Sequence, residues 1–286
     1  MTSSKFATIH LIDGRQLSYA EYGSPGGSPL FYFHGIPGSR RECSFDASIL
    51  QALNIRLIIP ERPGYGLSDF QENRHLLDVP DDVAQLADSL GLDRFSVLGF
   101  SGGGAYALAC AHMLGERITA AGLISSLAPL DAPGMWDAIS PAFRGLYELG
   151  ANDPEQLEQQ FAPAAASPGT VITNMEEAIS TPDKAIFRTP DFREKLLANL
   201  TESLRQGARA FSWDFHLAAM PWGFNPTDIQ QPVQLWHGED DLNAGVAMGH
   251  YLAETLPHCR AHFIENEGHY SLFNHMEVIL RKVMDY

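Results

Sequence analysis

Short apolar runs recur along the chain, and stretches with helical character separate most of them. The runs have the length and composition of β-strands, and they span Thr8–Leu11, Gln16–Tyr22, Leu30–Phe33, Ile55–Ile59, Phe95–Leu98, Ile118–Ser126, Pro232–Trp236 and Ala261–Ile264. The Asp13-Gly14 pair between the first two runs predicts a hairpin. Helices are expected at 42–53, 78–90, 105–111, 244–256 and 271–284. Strands that alternate with helices in this way predict an α/β protein with a mostly parallel β-sheet flanked by helices.

One segment interrupts this alternation. Residues 129–225 contain no convincing strand pattern, but they have helical stretches, frequent prolines and many large apolar side chains. We therefore expect 1–128 and 226–286 to form the α/β core, and 129–225 to form a helical insertion between two strands. Because the insertion would leave and rejoin the sheet at the carboxyl ends of its strands, some of its aromatic side chains are expected to line a pocket there.

The run at Phe95–Leu98 leads into a tight turn that joins a strand to a helix. The turn, Gly99-Phe100-Ser101-Gly102-Gly103, has the pattern G-x-S-x-G, and strong helix formers follow from Ala105 to Ala111. In this context the pattern is typical of a nucleophile elbow, in which a strained turn exposes a serine hydroxyl at the carboxyl end of a strand. An incidental serine in a glycine-rich turn would explain the pentapeptide alone, but the flanking elements favour a catalytic Ser101.

A serine hydroxyl becomes a good nucleophile only beside a base, and the base needs an acid to orient it. Gly238-Glu239-Asp240-Asp241 follows the predicted strand at 232–236, and Glu267-Gly268-His269 follows the one at 261–264. A serine, an acid and a histidine therefore occur in that order on loops that follow three strands, which is the chain order expected of this type of sheet. Spacing alone does not separate Asp241 from its neighbour Asp240.

These features together resemble the α/β-hydrolase fold family, in particular its capped, esterase-like members. The motifs that carry the resemblance are His34-Gly35-Ile36-Pro37-Gly38, Arg62-Pro63-Gly64-Tyr65-Gly66-Leu67-Ser68, the elbow, His237-Gly238-Glu239-Asp240-Asp241 and Gly268-His269. The resemblance implies an α/β-hydrolase fold whose insertion forms a helical cap. It also implies that Ser101 is the nucleophile, His269 the general base and Asp241 the acid, because the family's acid commonly ends a G-x-x-D stretch.

The same resemblance implies an oxyanion hole made of backbone amides. Its donors would be the N–H groups of Gly102, which follows the nucleophile, and of Ile36, which follows His34-Gly35. Pro37 has no N–H and is expected to stiffen the loop.

The chain departs from the family pattern in two loops and leaves one alternative for the acid. Glu61 stands where the family usually has an aspartate, and Asn243-Ala244-Gly245 stands where it often has a Val-Pro pair. Neither change removes a catalytic group. A known variation places the acid after the preceding strand, where this chain offers Ser125-Ser126 and only later Asp131.

Other polar residues have simpler explanations than catalysis. His34 and His237 each end a predicted strand, so a loop-anchoring role is expected rather than a role as a second base. Arg40 and Arg41 are candidates for holding a substrate carboxylate, although long cationic side chains on loops are usually solvated. His258, Cys259 and His262 have a metal-like spacing, but alternate side chains at a strand start face apart, so no metal site is predicted.

Composition narrows the range of partners. The formal net charge of −16 and the lack of a Lys/Arg cluster argue against nucleic acid as a partner. No stretch is apolar enough to span a bilayer, and the N-terminus is not typical of a secretory signal, so a cytoplasmic protein without a membrane association is expected. The three cysteines, Cys43, Cys110 and Cys259, are far apart and are expected to be reduced.

The expected function is that of a serine hydrolase, without a cofactor, that cleaves a carboxylic ester or related acyl compound through an acyl-Ser101 intermediate. The substrate would be a small molecule with an apolar part. Carbon–carbon bond hydrolases, lactonases and perhydrolases share this triad and remain alternatives, as does a ligand receptor that retains the fold without turnover. Epoxide hydrolases and dehalogenases are disfavoured because they have an aspartate in place of Ser101. The sequence gives no indication of the oligomeric state.

Overall fold

The computed structural model describes residues 5–42 and 48–286. Its strands are β1 (Lys5–His10), β2 (Gln16–Gly23), β3 (Ser28–Phe33), β4 (Ile55–Pro60), β5 (Phe95–Phe100), β6 (Ile118–Ile124), β7 (Val233–Gly238) and β8 (Cys259–Ile264). They form one sheet of eight strands in the order β1-β2-β4-β3-β5-β6-β7-β8. β1 and β2 pair antiparallel with each other, β2 pairs antiparallel with β4, and all other pairs are parallel.

Helices cover the sheet and form the insertion. They are α1 (Ser48–Ala52), α2 (Val79–Ser89), α3 (Gly103–Leu114), α4 (Pro141–Asn152), α5 (Pro154–Ala165), α6 (Pro168–Ala178), α7 (Thr181–Phe187), α8 (Pro190–Ser203), α9 (Arg209–Ala219), α10 (Val246–Thr255) and α11 (Met276–Val283). Short 3₁₀ turns lie at Leu76–Asp78, Gly115–Arg117, Pro226–Asp228 and Ser271–His275.

The central strands show why the sequence forms a parallel sheet. Every residue of β5 and of β7 is buried, as expected for strands that are covered by helices on both faces. The fold class predicted from the sequence, a mostly parallel sheet flanked by helices, is confirmed.

The predicted elements and the observed ones differ mainly at their ends. β6 ends at Ile124, two residues before the predicted end, because Ser125 adopts a φ of 47°. The predicted hairpin at Asp13-Gly14 is present, and Gly14 has the positive φ of 90° that the turn needs. The predicted helix at 42–53 is observed only as α1, since residues 43–47, including Phe45 and Cys43, lie outside the described residues.

Six helices, α4–α9, occupy the fully described stretch between β6 and β7. The prolines noted in the sequence explain where they begin: Pro141, Pro154, Pro168 and Pro190 are the first residues of four of them. Proline suits this position because its fixed φ is helical and its missing N–H would have no partner there. The insertion has an aromatic core of its own, in which Phe211 stacks on Phe161 with ring centroids 3.9 Å apart.

A buried ion cluster connects the insertion to the sheet and its flanking helices. We call the latter part, β1–β8 with α1–α3, α10 and α11, the sheet domain. Asp214 of α9 accepts hydrogen bonds from Arg62 Nε and Nη2 at 2.9 and 2.7 Å, from Arg74 Nη2, from Tyr106 Oη at 2.8 Å and from Tyr65 Oη at 3.0 Å. Burial alone would raise the pKa of Asp214, but the two guanidinium groups hold it well below its ordinary range. The cluster is therefore a fully ionised contact between α9 and the loops that follow β4.

Candidate active site

Ser101 lies in a strained turn between β5 and α3. Its φ of 54° is in the left-handed region, which non-glycine residues seldom occupy, and its N–H donates to Ile124 O at 2.9 Å. A Cβ on Gly103 would collide with the carbonyl oxygen of Phe33, and one on Gly99 would collide with the backbone of Gly103. These two glycines are therefore required for the close contact of strand and helix that this turn needs.

Asp241 and His269 are hydrogen-bonded to each other. His269 Nδ1 lies 2.7 Å from Asp241 Oδ2, and both side chains are buried. The other oxygen, Asp241 Oδ1, accepts from the N–H groups of Asn243 and Ala244 at 2.8 and 2.9 Å. The loops after β7 and β8 thus bring together two of the residues that the sequence singled out.

The ionisation of Asp241 determines the tautomer of His269. Burial by itself would raise the pKa of Asp241, but the neighbouring His269 lowers it, with further help from His237 and the N–H of Ala244. An ionised carboxylate only accepts hydrogen bonds, so the proton between the two groups is on Nδ1. In the neutral form of the imidazole, this tautomer leaves Nε2 as an acceptor.

The competing acids lie elsewhere. Asp240 is exposed, and so is Asp131 after β6. Ser125, at the alternative acid position, donates its hydroxyl to the carbonyl oxygen of His269 at 3.0 Å. In the described part of the chain, Asp241 is thus the carboxylate that contacts the ring of His269.

His34 and His237 anchor loops, as predicted. His34 Nδ1 donates to Gly35 O at 3.0 Å, and its Nε2 accepts from Arg62 N at 3.4 Å. His237 Nε2 donates to Ala244 O at 2.6 Å. Burial lowers the pKa of both imidazoles, so both are neutral at pH 7.

The loop after β3 contributes Ile36 to the lining of a pocket. Neither the N–H of Ile36 nor that of Gly102 donates a hydrogen bond to another described residue. Arg62 Nη2 donates to Gly35 O at 2.8 Å and Arg62 Nη1 to His34 O at 2.5 Å. Because Gly35 C=O and Ile36 N–H belong to one planar trans peptide and point in opposite directions, Arg62 also orients the Ile36 amide.

Glu42 holds the same loop from its other side. Its Oε1 accepts from Gly35 N at 2.9 Å and from Tyr32 Oη at 3.1 Å, and its Oε2 accepts from Asn199 Nδ2 of α8 at 3.1 Å. Burial raises the pKa of this carboxyl to about 7, although all three hydrogen bonds favour the ionised form. Glu42 therefore titrates near neutral pH.

One pocket contains Ser101, His269, Ile36 and Glu42 in its lining. The wall opposite the sheet comes from α4, α5, α6, α8 and α9 and is mostly apolar, with Phe143, Phe161 and Phe215 among its side chains. The prediction that aromatic residues of the insertion line a pocket at the carboxyl edge of the sheet is confirmed.

The sequence profile of the alpha/beta hydrolase fold family matches residues 28–276 of the chain. The chain belongs to this family. A 2-hydroxy-6-oxononadienedioate/2-hydroxy-6-oxononatrienedioate hydrolase from Pseudomonas putida is 27% identical over 301 residues, which cover 100% of this chain and 96% of that protein. The dihydrolipoyllysine-residue acetyltransferase component of the acetoin cleaving system of Pseudomonas putida is 29% identical over 202 residues. That match covers 70% of this chain but only 49% of the acetyltransferase, so the chain spans about half of its length.

Among solved structures, an esterase from Rhodococcus sp. ECU1013 superposes with a TM-score of 0.72 at 20% sequence identity, and the match covers 97% of each chain. At this level of identity the likeness establishes the fold alone. Membership of the alpha/beta hydrolase fold family confirms the resemblance drawn from the motifs.

The two arginines considered as carboxylate ligands are occupied elsewhere. Arg40 is buried and pairs with Glu61 at 2.9 Å and with Glu202 of α8 at 2.6 Å. The half-exposed Arg41 lies 3.7 Å from Glu202. Neither lines the pocket beside Ser101.

Outside the site, two observations concern metals and membranes. No group of three potential ligands among the described residues could hold a metal ion, and His262 stacks on Trp236 with ring centroids 4.9 Å apart.

In the part of the chain that the structure describes, no helix combines the length and hydrophobicity needed to cross a bilayer.

Sequence reasoning missed two carboxylates of this site, Glu42 and Asp183. Glu42 lies only four residues beyond the H-G-x-P-G motif, but nothing in the sequence indicates that it turns back to the loop. Asp183 lies in Ser180-Thr181-Pro182-Asp183, which signals a helix start. Its contact with the His269 loop, 86 residues away, is visible only in the tertiary structure.

Proposed function

We propose that this protein is a serine hydrolase that cleaves a carboxylic ester or a related acyl compound. The observation that carries the proposal is the 2.7 Å contact between His269 Nδ1 and Asp241 Oδ2, where His269 lines the same pocket as the strained Ser101. In this proposal Ser101 is the nucleophile, His269 the general base, Asp241 the orienting acid, and the N–H groups of Ile36 and Gly102 form the oxyanion hole.

The reaction would proceed in two stages, acylation and then deacylation of Ser101. His269 Nε2 takes the proton of the Ser101 hydroxyl while Oγ attacks the ester carbonyl carbon, and the carbonyl oxygen becomes an oxyanion. Collapse of the tetrahedral intermediate breaks the C–O bond to the alcohol, which leaves with the proton from His269. A water molecule then repeats these steps on the acyl-Ser101 ester, and the products are one alcohol and one carboxylic acid.

Two features support the proposed oxyanion hole. The N–H groups of Ile36 and Gly102 have no acceptor among the described residues, so both are available to developing negative charge. Arg62 donates to the Gly35 C=O, which shares a peptide with the Ile36 N–H, and Glu42 accepts from the Gly35 N–H of the preceding peptide. A donor that is fixed before the reaction stabilises the transition state without reorganisation.

The lining of the pocket favours a neutral, apolar acyl substrate. None of the described residues that line it is a lysine or an arginine, and Glu42 is among them. The name of the Pseudomonas putida relative describes hydrolysis of a dienedioate, a dicarboxylate. A carboxylate buried in this pocket would have no cation to pair with, and such a burial is strongly unfavourable. This argues for a neutral ester over a dicarboxylate substrate of that kind.

The proposal is tested with p-nitrophenyl esters of graded acyl length, compared between wild type and Ser101→Ala. We expect the wild-type protein to hydrolyse them and Ser101→Ala to lose roughly 10⁴-fold or more in kcat. A fluorophosphonate probe should label the wild type and not Ser101→Ala. Labelling that persists in the variant would refute the assignment of Ser101, and tight ligand binding without turnover by the wild type would favour a receptor.

The same panel includes a 2-hydroxy-6-oxo-dienedioate, a substrate in which hydrolysis would cleave a carbon–carbon bond. We expect kcat/KM for this dianion to be far below that for a neutral ester of similar size. Preference for the dianion would overturn the substrate class while leaving the role of Ser101 intact.

A further inference from the structure

Asp183 is a fully buried carboxylate in the helical insertion, and its partners are the backbone amides of the His269 loop. It lies in α7 and has no exposed surface. Its Oδ2 accepts from His269 N at 2.9 Å, and its Oδ1 accepts from Tyr270 N at 2.7 Å and from Ser271 N at 2.9 Å. Three consecutive N–H groups of the loop after β8 therefore converge on one side chain from the insertion.

The remaining contacts make this arrangement rigid. Ser180 Oγ donates to Asp183 Oδ2 at 2.8 Å, and Gly268 N donates to Ser271 Oγ at 2.7 Å. A side chain at position 268 would collide with Ser180 and Asp183. The loop from Gly268 to Ser271 thus has every N–H bonded, and at Gly268 it packs too closely against α7 and the residue before it to admit a side chain.

We propose that Asp183 is a positioning residue for His269, an inference that rests on the proposed function. The imidazole of His269 is oriented by Asp241 at Nδ1, while its backbone is held by Asp183. A base that is fixed both at its ring and at its backbone keeps Nε2 in reach of the Ser101 hydroxyl throughout the reaction. Displacement of a reacting group by about 1 Å can lower a rate by about 100-fold.

The charge of Asp183 matters because all of its partners are donors. An ionised carboxylate can accept from all three amides and from Ser180, whereas an asparagine offers one oxygen and one NH₂ group. If the amide oxygen takes the place of Oδ1, the bonds from Tyr270 and Ser271 survive and the NH₂ group faces the N–H of His269. Asp183→Asn therefore weakens specifically the contact to His269.

Ring contacts connect the same helix to the pocket. Phe187 of α7 and Phe192 of α8 contact the ring of Tyr270, with centroids 5.0 and 6.3 Å apart, and Tyr270 lines the pocket beside His269. The insertion thereby provides part of the scaffold of the base as well as the wall of the pocket.

The test is a double-mutant cycle with Asp183→Asn and His269→Ala, using the best ester of the wild type. We expect Asp183→Asn alone to lower kcat by about 10- to 100-fold with KM changed by less than about threefold. In the His269→Ala background, Asp183→Asn should have no further effect on the residual rate, because Asp183 acts through His269.

Two further variants serve as controls. Asp191→Asn changes an exposed aspartate of α8 that pairs with Lys195 at the surface, and it should leave kcat unchanged. Ser180→Ala removes the hydrogen bond from Ser180 to Asp183 Oδ2 and should lower kcat a few-fold in a protein that still folds. It serves as the test if Asp183→Asn does not fold. Thermal unfolding of each variant shows whether it is folded.

The outcomes separate the two proposals. A wild type without esterase activity and without Ser101 labelling would refute the proposed function. An active wild type whose kcat is unchanged by Asp183→Asn and by Ser180→Ala would overturn the role of Asp183. An equal loss from Asp183→Asn in the presence and absence of His269 would also overturn it, because the residue would then act on the pocket as a whole.

Discussion

At the residue scale, the buried environment of Glu42 raises the pKa of its carboxyl. In an unfolded chain its carboxyl has the ordinary pKa of 4.5, and in the folded protein burial raises that pKa to about 7. The protonated form is thus favoured by the fold. Its contribution to stability is fully present below the unfolded pKa and is lost as the pH rises toward the folded pKa.

Glu42→Gln, an uncharged isostere, is therefore expected to become more stable relative to wild type as the pH rises from about 4.5 to about 7. The shift corresponds to on the order of 3 kcal/mol over this window. Calorimetric unfolding of both proteins at several pH values measures it. Glu177→Gln, at an exposed position, should show no such trend; a constant difference between Glu42→Gln and wild type would contradict the assignment.

Asp241 is expected to act through the tautomer of His269. In Asp241→Asn the amide can donate to Nδ1, which would place the imidazole proton on Nε2, the atom that must accept the serine proton. We expect kcat to fall by roughly 10³- to 10⁴-fold, as in other triads. Asp240→Asn, at the exposed neighbour, is the matched control and should retain activity. Steady-state hydrolysis of a p-nitrophenyl ester distinguishes them, and the reverse result would assign the acid to Asp240.

At the scale of elements, the junction between β5 and α3 depends on the absence of side chains. A glycine inside a helix normally destabilises it by about 0.5–1 kcal/mol relative to alanine. Gly103 is the first residue of α3, yet a Cβ there would collide with the backbone of β3 at Phe33. The close packing of the elbow therefore outweighs helix propensity at this position.

Gly103→Ala and Gly145→Ala should consequently have opposite effects on stability. Gly145 lies inside α4, and a Cβ there meets nothing within 4 Å, so alanine should stabilise the protein by about 0.5–1 kcal/mol. Gly103→Ala should destabilise it by about 2 kcal/mol or more through forced backbone shifts. Urea unfolding measures both changes, and a stabilising Gly103→Ala would show that strand and helix are not in close contact.

At the scale of the whole molecule, the Asp214 cluster joins the insertion to the sheet domain. Its carboxylate contacts Arg62 and Arg74, and Arg62 in turn holds the carbonyl oxygens of the Ile36 loop. Displacement of α9 would leave two buried guanidinium groups without a counter-charge. We therefore expect the insertion and the sheet domain to unfold together in one transition.

Asp214→Asn removes the negative charge of this cluster and should reduce the free energy of unfolding at pH 7 by about 3–5 kcal/mol. The pKa of Asp214 in the folded protein is lowered, so its stabilising effect is present above its unfolded pKa and is lost as the pH falls below about 4. Urea unfolding at several pH values should show the difference from wild type shrinking on acidification. Asp137→Asn, which breaks an exposed ion pair with Arg144, should change stability by less than about 1 kcal/mol at any pH.

The sequence by itself determined the sheet and the order of the groups proposed for catalysis. Buried parallel strands are continuous apolar runs, and the G-x-S-x-G turn needs glycines where two backbones meet, so both leave a local pattern around Ser101. The loops of Asp241 and His269 could be placed because parallel strands bring their carboxyl ends to one edge.

The tertiary structure decided which side chains support those loops. Asp183 accepts from backbone amides far away in the sequence, Asp214 binds side chains of distant residues, and Glu42 joins the nearby Gly35 N–H to the distant Asn199 side chain. A carboxylate that will meet such groups has no local pattern that distinguishes it from a solvated one. The contact of Asp241 rather than Asp240 with His269 also depends on the tertiary structure, because two adjacent aspartates on a loop differ only in the direction in which the folded chain points their side chains. The packing of α4–α9 over Ser101 also lies beyond local pattern, since it depends on long-range contacts among aromatic side chains such as Phe161 and Phe211.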